Sequence, residues 1–206
     1  MACLLTTGRT VDCKDSVSGI KTIFIAKSWA NNATTNSTFA VNGTDELQID
    51  TMGFANWSSA VGSAVTLYRY ELRPNLSSMT VNVNSDPATG TTFFSQTLSV
   101  TFQKLDAAMN NELKLIAYGR PQIFVLDNND NLWMLGAVNG CDVTSGTIVT
   151  GAAKSDLSGY TLEFTAEERQ PLYMVKKTGG STATTDYPFD SLGDADAAIT
   201  ISPAYT

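Results

Sequence analysis

Nearly every apolar stretch of this chain alternates with polar residues at a period of two, and a single stretch breaks that rule. A period of two sends successive side chains to opposite faces of a strand, so it predicts sheets with one face in a core and one face wet. In 78–84, Met79, Val81 and Val83 oppose Thr80 and Asn82. In 94–103 the inward set is Phe94, Gln96, Leu98, Val100 and Phe102. In 160–165, Tyr160, Leu162 and Phe164 oppose Thr161, Glu163 and Thr165. Residues 20–27 (IKTIFIAK) are apolar on both faces at their centre and predict a central strand. Shorter strands are expected at 46–51, 65–73 (stopped by Pro74), 146–153, 171–175 and 198–202. The runs 122–126 (QIFVL) and 132–138 (LWMLGAV), joined by Asp127-Asn128-Asn129-Asp130-Asn131, predict a hairpin, and Asn139-Gly140 marks another turn.

The exception is 104–118 (KLDAAMNNELKLIAY). Leu105, Met109, Leu113 and Ile116 fall on one stripe of a helix, Gly119 suits its C-terminal end, and Pro121 prevents continuation. The expected fold is therefore mainly β, a β-barrel or sandwich with one packed amphipathic helix at about 104–118, in a single domain spanning 1–206. Residues 28–44 read as a long polar loop in which Trp29, Phe39 and Val41 are isolated apolar residues, predicting a loop that docks on something. Residues 177–206 read as a polar, then acidic, C-terminal extension.

Composition narrows the function. The 27 threonines and 14 asparagines replace charge with strand- and turn-favouring polarity. There is no histidine, which removes Ser-His-Asp and Cys-His catalysis and His-ligated zinc. The net charge of −7 argues against a broad basic face for nucleic acid. Cys3, Cys13 and Cys141 fit no zinc spacing; a Cys3–Cys13 disulfide is compatible with the spacing, but inert thiols are expected in a reducing compartment. Met1–Arg9 has no signal-peptide pattern and no stretch is apolar for the length of a membrane helix, so the expectation is a chain made and kept in a cytoplasm.

Asp127, Asn129 and Asn131 resemble the start of an EF-hand loop, but Leu132 stands at its glycine position and Val138 at its glutamate position, so a hairpin turn is expected rather than a calcium site. The carboxylate pairs Asp45/Glu46, Glu167/Glu168 and Asp194/Asp196 have no aromatic platform and read as solvated charge. No Gly-rich phosphate loop opens a helix, and neither catalytic residues, a metal nor a cofactor is expected. Glu112 lies within the helix's apolar stripe. It either snorkels out or pairs with a basic group of the core or of a neighbouring subunit.

The order of elements from about 94 to 176, with the phrases VLDNNDNLWMLGAVNG and TGAAKSDLSGYTLEFT and the opening GRTVDCKDSVSGIKTIFIA, resembles bacteriophage tail tube proteins and the related tubes of type VI secretion. The resemblance covers about two-thirds of the chain and rests on turn chemistry and pattern. It implies a virion structural protein that forms hexameric rings. The rings stack into a tail tube with other tail proteins as partners, are assembled in the host cytoplasm, and let DNA pass without specific binding. An acidic wall keeps a polyanion mobile, and Glu163, Glu167 and Glu168 are its candidate lumen residues. Trp29, Phe39, Val41 and Glu112 are the candidates for contacts between subunits. The competing reading is a non-catalytic β-sandwich binding module for a receptor or carbohydrate, or another head or tail accessory protein.

Overall fold

A computed structural model describes Lys14 and residues 16–26, 38–41, 47–53, 65–175, 188–189 and 199–203. Two sheets form. The larger contains β1 (Ile20–Ala26), β2 (Thr38–Val41), β3 (Gln48–Gly53), β4 (Val65–Glu71), β7 (Ile123–Asp127), β8 (Leu132–Leu135), β11 (Tyr173–Val175) and β12 (Ile199–Ser202). Its order is β12-β4-β1-β7-β8-β11-β3-β2. The smaller contains β5 (Ser78–Asp86), β6 (Thr91–Gln103), β9 (Asp142–Val149) and β10 (Gly159–Glu168), in the order β5-β6-β10-β9. A helix, α1 (Ala107–Tyr118), connects β6 to β7. Among the described residues neither sheet closes on itself, so the architecture is a sandwich with one helix rather than a barrel.

The predicted central strand is central. β1 lies between β4 and β7, and Ile23 and Ile25 face one core while Phe24 and Ala26 face another. The first core lies between the sheets, where Ile23, Ile25, Ile123, Val125 and Leu135 meet Leu98, Val100, Tyr160, Leu162 and Phe164 of the small sheet. The second lies on the far face of the large sheet, which gathers Phe24, Phe124, Leu126, Met134, Ile49 and Ile201 around Phe189. Phe189 makes edge-to-face contacts with Phe24 and Phe124, with ring centroids 5.0 and 5.1 Å apart. A strand buried on both faces must be apolar at consecutive positions, which is why β1 and β7 read as runs.

α1 seats its predicted stripe in the core between the sheets. Leu113 and Ile116 are buried, and Leu105 and Met109 pack beside them. Its last turn is closed by the Gly119 N–H, which donates to the Leu115 and Ile116 carbonyls in an extended conformation (φ −93°). The left-handed glycine expected there is not used.

Two elements differ from expectation. Residues 38–41, placed in a loop by their polar surroundings, form β2, with Phe39 opposite Met52 and Val41 opposite Ile49. β9 starts at Asp142 and ends at Val149 instead of covering 146–153. It ends because Gly151 has a positive φ (72°) and the Asp156 carboxylate accepts the N–H groups of Ala152 and Ala153, which makes 151–156 a turn. The expected hairpin is tied by the Asp127 carboxylate, which accepts from the Asn131 N–H (2.7 Å), the Asn131 side chain (3.1 Å) and the Trp133 indole (3.1 Å). Asn128 and Asn129 in turn bind the backbone of 17–19. The whole Asx tract thus serves as a clamp.

Candidate assembly surface

The small sheet presents one face to solvent, and its rows are set by register. Ser78, Ser99, Glu163 and Ser145 lie side by side across the sheet. Thr80, Thr97 and Thr165 form the next row, and Thr101, Thr161 and Thr147 the row on the other side. Ser145 Oγ donates to Glu163 Oε2 (3.3 Å), and the Thr144 and Thr165 hydroxyls are 3.1 Å apart. The alternation read in 160–165 is reproduced, since Tyr160, Leu162 and Phe164 are buried while Thr161, Glu163 and Thr165 are half-buried on the polar side. The strands of this sheet carry Asp86, Asp142, Glu163, Glu167 and Glu168 and not a single lysine or arginine.

Glu167 is exposed at the end of that face, but Glu168 corrects the expectation. It is 4% exposed, and its Oε1 accepts the N–H groups of Val138 (2.9 Å) and Asn139 (2.8 Å). It is neither solvated charge nor a wetted wall. The signal was in the period, because Glu168 falls in step with Tyr160, Leu162, Phe164 and Ala166, the inward set. Two more buried polar groups hold the same loop, Gln96, which the period set inward, and Gln122, which sequence reasoning missed. Gln96 Oε1 accepts the Gly136 N–H (3.0 Å), and Gln122 Nε2 donates to the Ala137 carbonyl (2.6 Å). The loop needs glycine at Gly140 (φ 74°), where a Cβ would lie 2.7 Å from the Arg120 carbonyl oxygen. Beneath it, Cys141 is buried, and its thiol is pushed up by desolvation and by the charges of Glu168 and Asp142, as befits an inert thiol.

Both edges of the small sheet, β5 and β9, lack a partner strand among the described residues. Apolar side chains of the inward face run out to them, with Val83 65% exposed on β5 and Ile148 62% exposed on β9.

Glu112 is exposed on α1, with no ion pair to it among the described residues. It stands at the rim of a groove of about 150 Å³ bounded by Tyr68, Tyr70 and Leu115. Burial, followed by the charge of Glu112 and then Tyr68, pushes the Tyr70 hydroxyl up to about 12. Of the other proposed contact residues, Trp29 lies outside the described residues. Phe39 and Val41 are placed by backbone on β2 alone. The pairs Asp45/Glu46 and Asp194/Asp196, and Cys3 and Cys13, also lie outside the described residues. Among those described, no three metal-ligating side chains come together, and no helix is long and apolar enough to cross a membrane.

No family model and no curated protein matches the chain. Among solved structures it is similar to a chain of the virion of a native gene transfer agent particle. The likeness has 10% identity and a TM-score of 0.33, and covers 50% of this chain and 84% of that one. At that score and identity, the likeness assigns neither a fold nor a function to this protein.

Proposed function

We propose that this chain is a virion structural protein, a subunit of rings that stack into a tail tube through which DNA passes. The observation that carries the reading is the unfinished small sheet. Each of its neighbouring pairs is antiparallel, so β9 runs opposite to β5. A copy's β9 laid beside the next copy's β5 therefore forms another antiparallel pair, and the alternation closes for any number of copies because each contributes an even number of strands. The same step sets the apolar face of β9, which carries Ile148, beside the apolar face of β5, which carries Val81 and Val83, and the Ser/Thr face beside the Ser/Thr face, so both faces carry on across the joint. An open, flat edge of this length is otherwise a liability for uncontrolled pairing. Six copies per ring is the number implied by the resemblance to tail tubes. The face carrying Glu163 and Glu167 then lines the lumen, where acidic and hydroxyl groups give a passing polyanion nothing to bind.

Negative-stain microscopy of the purified chain tests this reading. Rings or tubes are expected, and Ile148→Lys, which places a charge in the joint, should leave monomers of unchanged stability. A wild-type chain that stays monomeric at high concentration would overturn it. One observation favours the binding-module reading, namely the groove beside Tyr68 and Tyr70, since tyrosine faces on a concave surface suit a sugar ring. Glycan binding by a monomer, abolished by Tyr68→Ala, would establish that reading instead.

A further inference from the structure

The two ends of the small sheet differ in shape. At one end the β5–β6 hairpin outruns its neighbour, because β10 pairs with β6 only as far as Phe94, leaving the pairs Asn84–Phe93, Ser85–Thr92 and Asp86–Thr91 as a two-stranded ribbon. At ~3.4 Å per residue the ribbon and its turn project on the order of 10 Å. It is stiffened by hydroxyl pairs, Ser85 with Thr92 (3.0 Å) and Thr89 with Thr91 (2.8 Å), and Asp86 Oδ1 accepts the Ala88 N–H (2.9 Å). Phe93 is exposed on the same face of it as Asp86, its single charge.

At the opposite end lies an open depression of about 730 Å³. Leu76, Leu105 and Leu157 supply its apolar wall, Lys104 its cation and Asp156 a carboxylate. Leu76 is 42% exposed, which leaves apolar surface open to a partner. Lys104 is held at a positive φ (70°) by its N–H bond to the Ser158 carbonyl (2.8 Å), and it makes no ion pair among the described residues.

We infer that the depression receives the β5–β6 hairpin of a second copy of this chain, with Asp86 meeting Lys104 and Phe93 covering the leucines. The occupant follows from three features. The projection and the depression lie at opposite ends of the same strands, so a simple translation along the strand direction brings one to the other. Lys104 is available to pair with Asp86, because the carboxylate that also lines the depression, Asp156, accepts the Ala152 and Ala153 N–H groups. A head-to-tail contact of this kind does not close on itself, and so it propagates a stack. The inference rests on the self-assembling reading above, but it uses a different surface from the β5–β9 joint.

Disulfide trapping separates the two. Ala88→Cys and Leu157→Cys are introduced together, each single variant serving as control, and the assembled protein is oxidised and examined by gel and by microscopy. A ladder of linked copies in the double variant alone is expected. Asp86→Lys should yield short rings without tubes, and Asp86→Lys with Lys104→Asp should restore tubes. Tubes without the ladder and unaffected by Asp86→Lys would overturn the hairpin contact and leave the ring reading standing. A ladder in open strings with no closed rings would support the contact and overturn the ring. Monomers with no ladder would overturn both.

Discussion

The two sheets share a core but face the world differently. The central strands of the large sheet are buried on both faces, and β1 also carries Lys21 and pairs with a strand containing Arg69. The small sheet is buried on one face, has no basic residue on any strand, and shows hydroxyls and carboxylates on the other face. Both sheets come from one chain of modest charge, so the contrast is a division of labour. Doubly buried strands hold the fold, and the half-buried sheet, whose edges have no partner strand among the described residues, is the surface that the proposed assembly uses.

That contrast should be largest in stability. Phe124 is fully buried between β1 and β8 and touches Phe189. Phe124→Ala should cost about 3–5 kcal/mol, read by urea unfolding. Thr161→Ala on the polar face of the small sheet should stay within about 0.5 kcal/mol. Equal losses would mean that the polar face is part of the packed structure and not a free wall. Leu113→Ala, which removes the anchor of α1 from the core between the sheets, should cost about 2–5 kcal/mol. A smaller loss would mean that the helix docks less firmly than its burial implies.

A sharper comparison uses two neighbours in sequence. Glu168→Ala strands the N–H groups of Val138 and Asn139 beneath the surface, and losing hydrogen bonds to a charged group costs about 1.5–3 kcal/mol. Glu167→Ala, one residue earlier and exposed, should change stability by less than about 0.5 kcal/mol. If the two variants are alike, Glu168 is not the brace described.

Much of this was legible in the chain because periodicity records burial. The run IFIA placed β1 at the centre of a sheet, and YTLEFT gave β10 its dry and wet faces. The stripe Leu105–Met109–Leu113–Ile116 found the helix and its face. What was missed lay where partners are distant in sequence. Residues 38–41 look like loop because their strand character comes from pairing with β3, not from their own pattern. Gln96 and Glu168 fall in step with the inward sets of their strands, but their bracing role could not be read because the loop donors they satisfy are about 30–40 residues away. The open edges of β5 and β9 could not be read at all, since strand order is a property of the assembled sheet.

The groove beside α1 offers a pH comparison with the wet face. Tyr70 has its hydroxyl raised from 10.0 to about 12, chiefly by burial. A group whose folded value is raised contributes stability in full below its unfolded value and loses it as pH climbs through the folded one. Stability should therefore fall as pH rises from about 10 to about 12, and Tyr70→Phe should flatten that part of the profile. A wild-type curve already flat in that window would show that Tyr70 is hydrated in solution.

The smallest expected effect on stability is the most informative for function. Glu163 sits in the middle of the polar face, flanked by Ser99 and Ser145. Glu163→Lys with Glu167→Lys should leave unfolding within about 0.5 kcal/mol of the wild type, because Glu167 is exposed and Glu163 is half-buried on the polar face with one long hydrogen bond from Ser145. In an assembled tube the same change would put two cations per subunit on the wall, repeated around every ring. Each phosphate contact made with such a wall adds to the salt dependence of binding, with a slope of about −0.9 per contact in log–log form. Passage of DNA should then slow at low salt and recover at high salt, while the tubes look normal. Normal tubes with unchanged passage at every salt concentration would move this face to the outside of the assembly and leave the lumen to be sought on the large sheet.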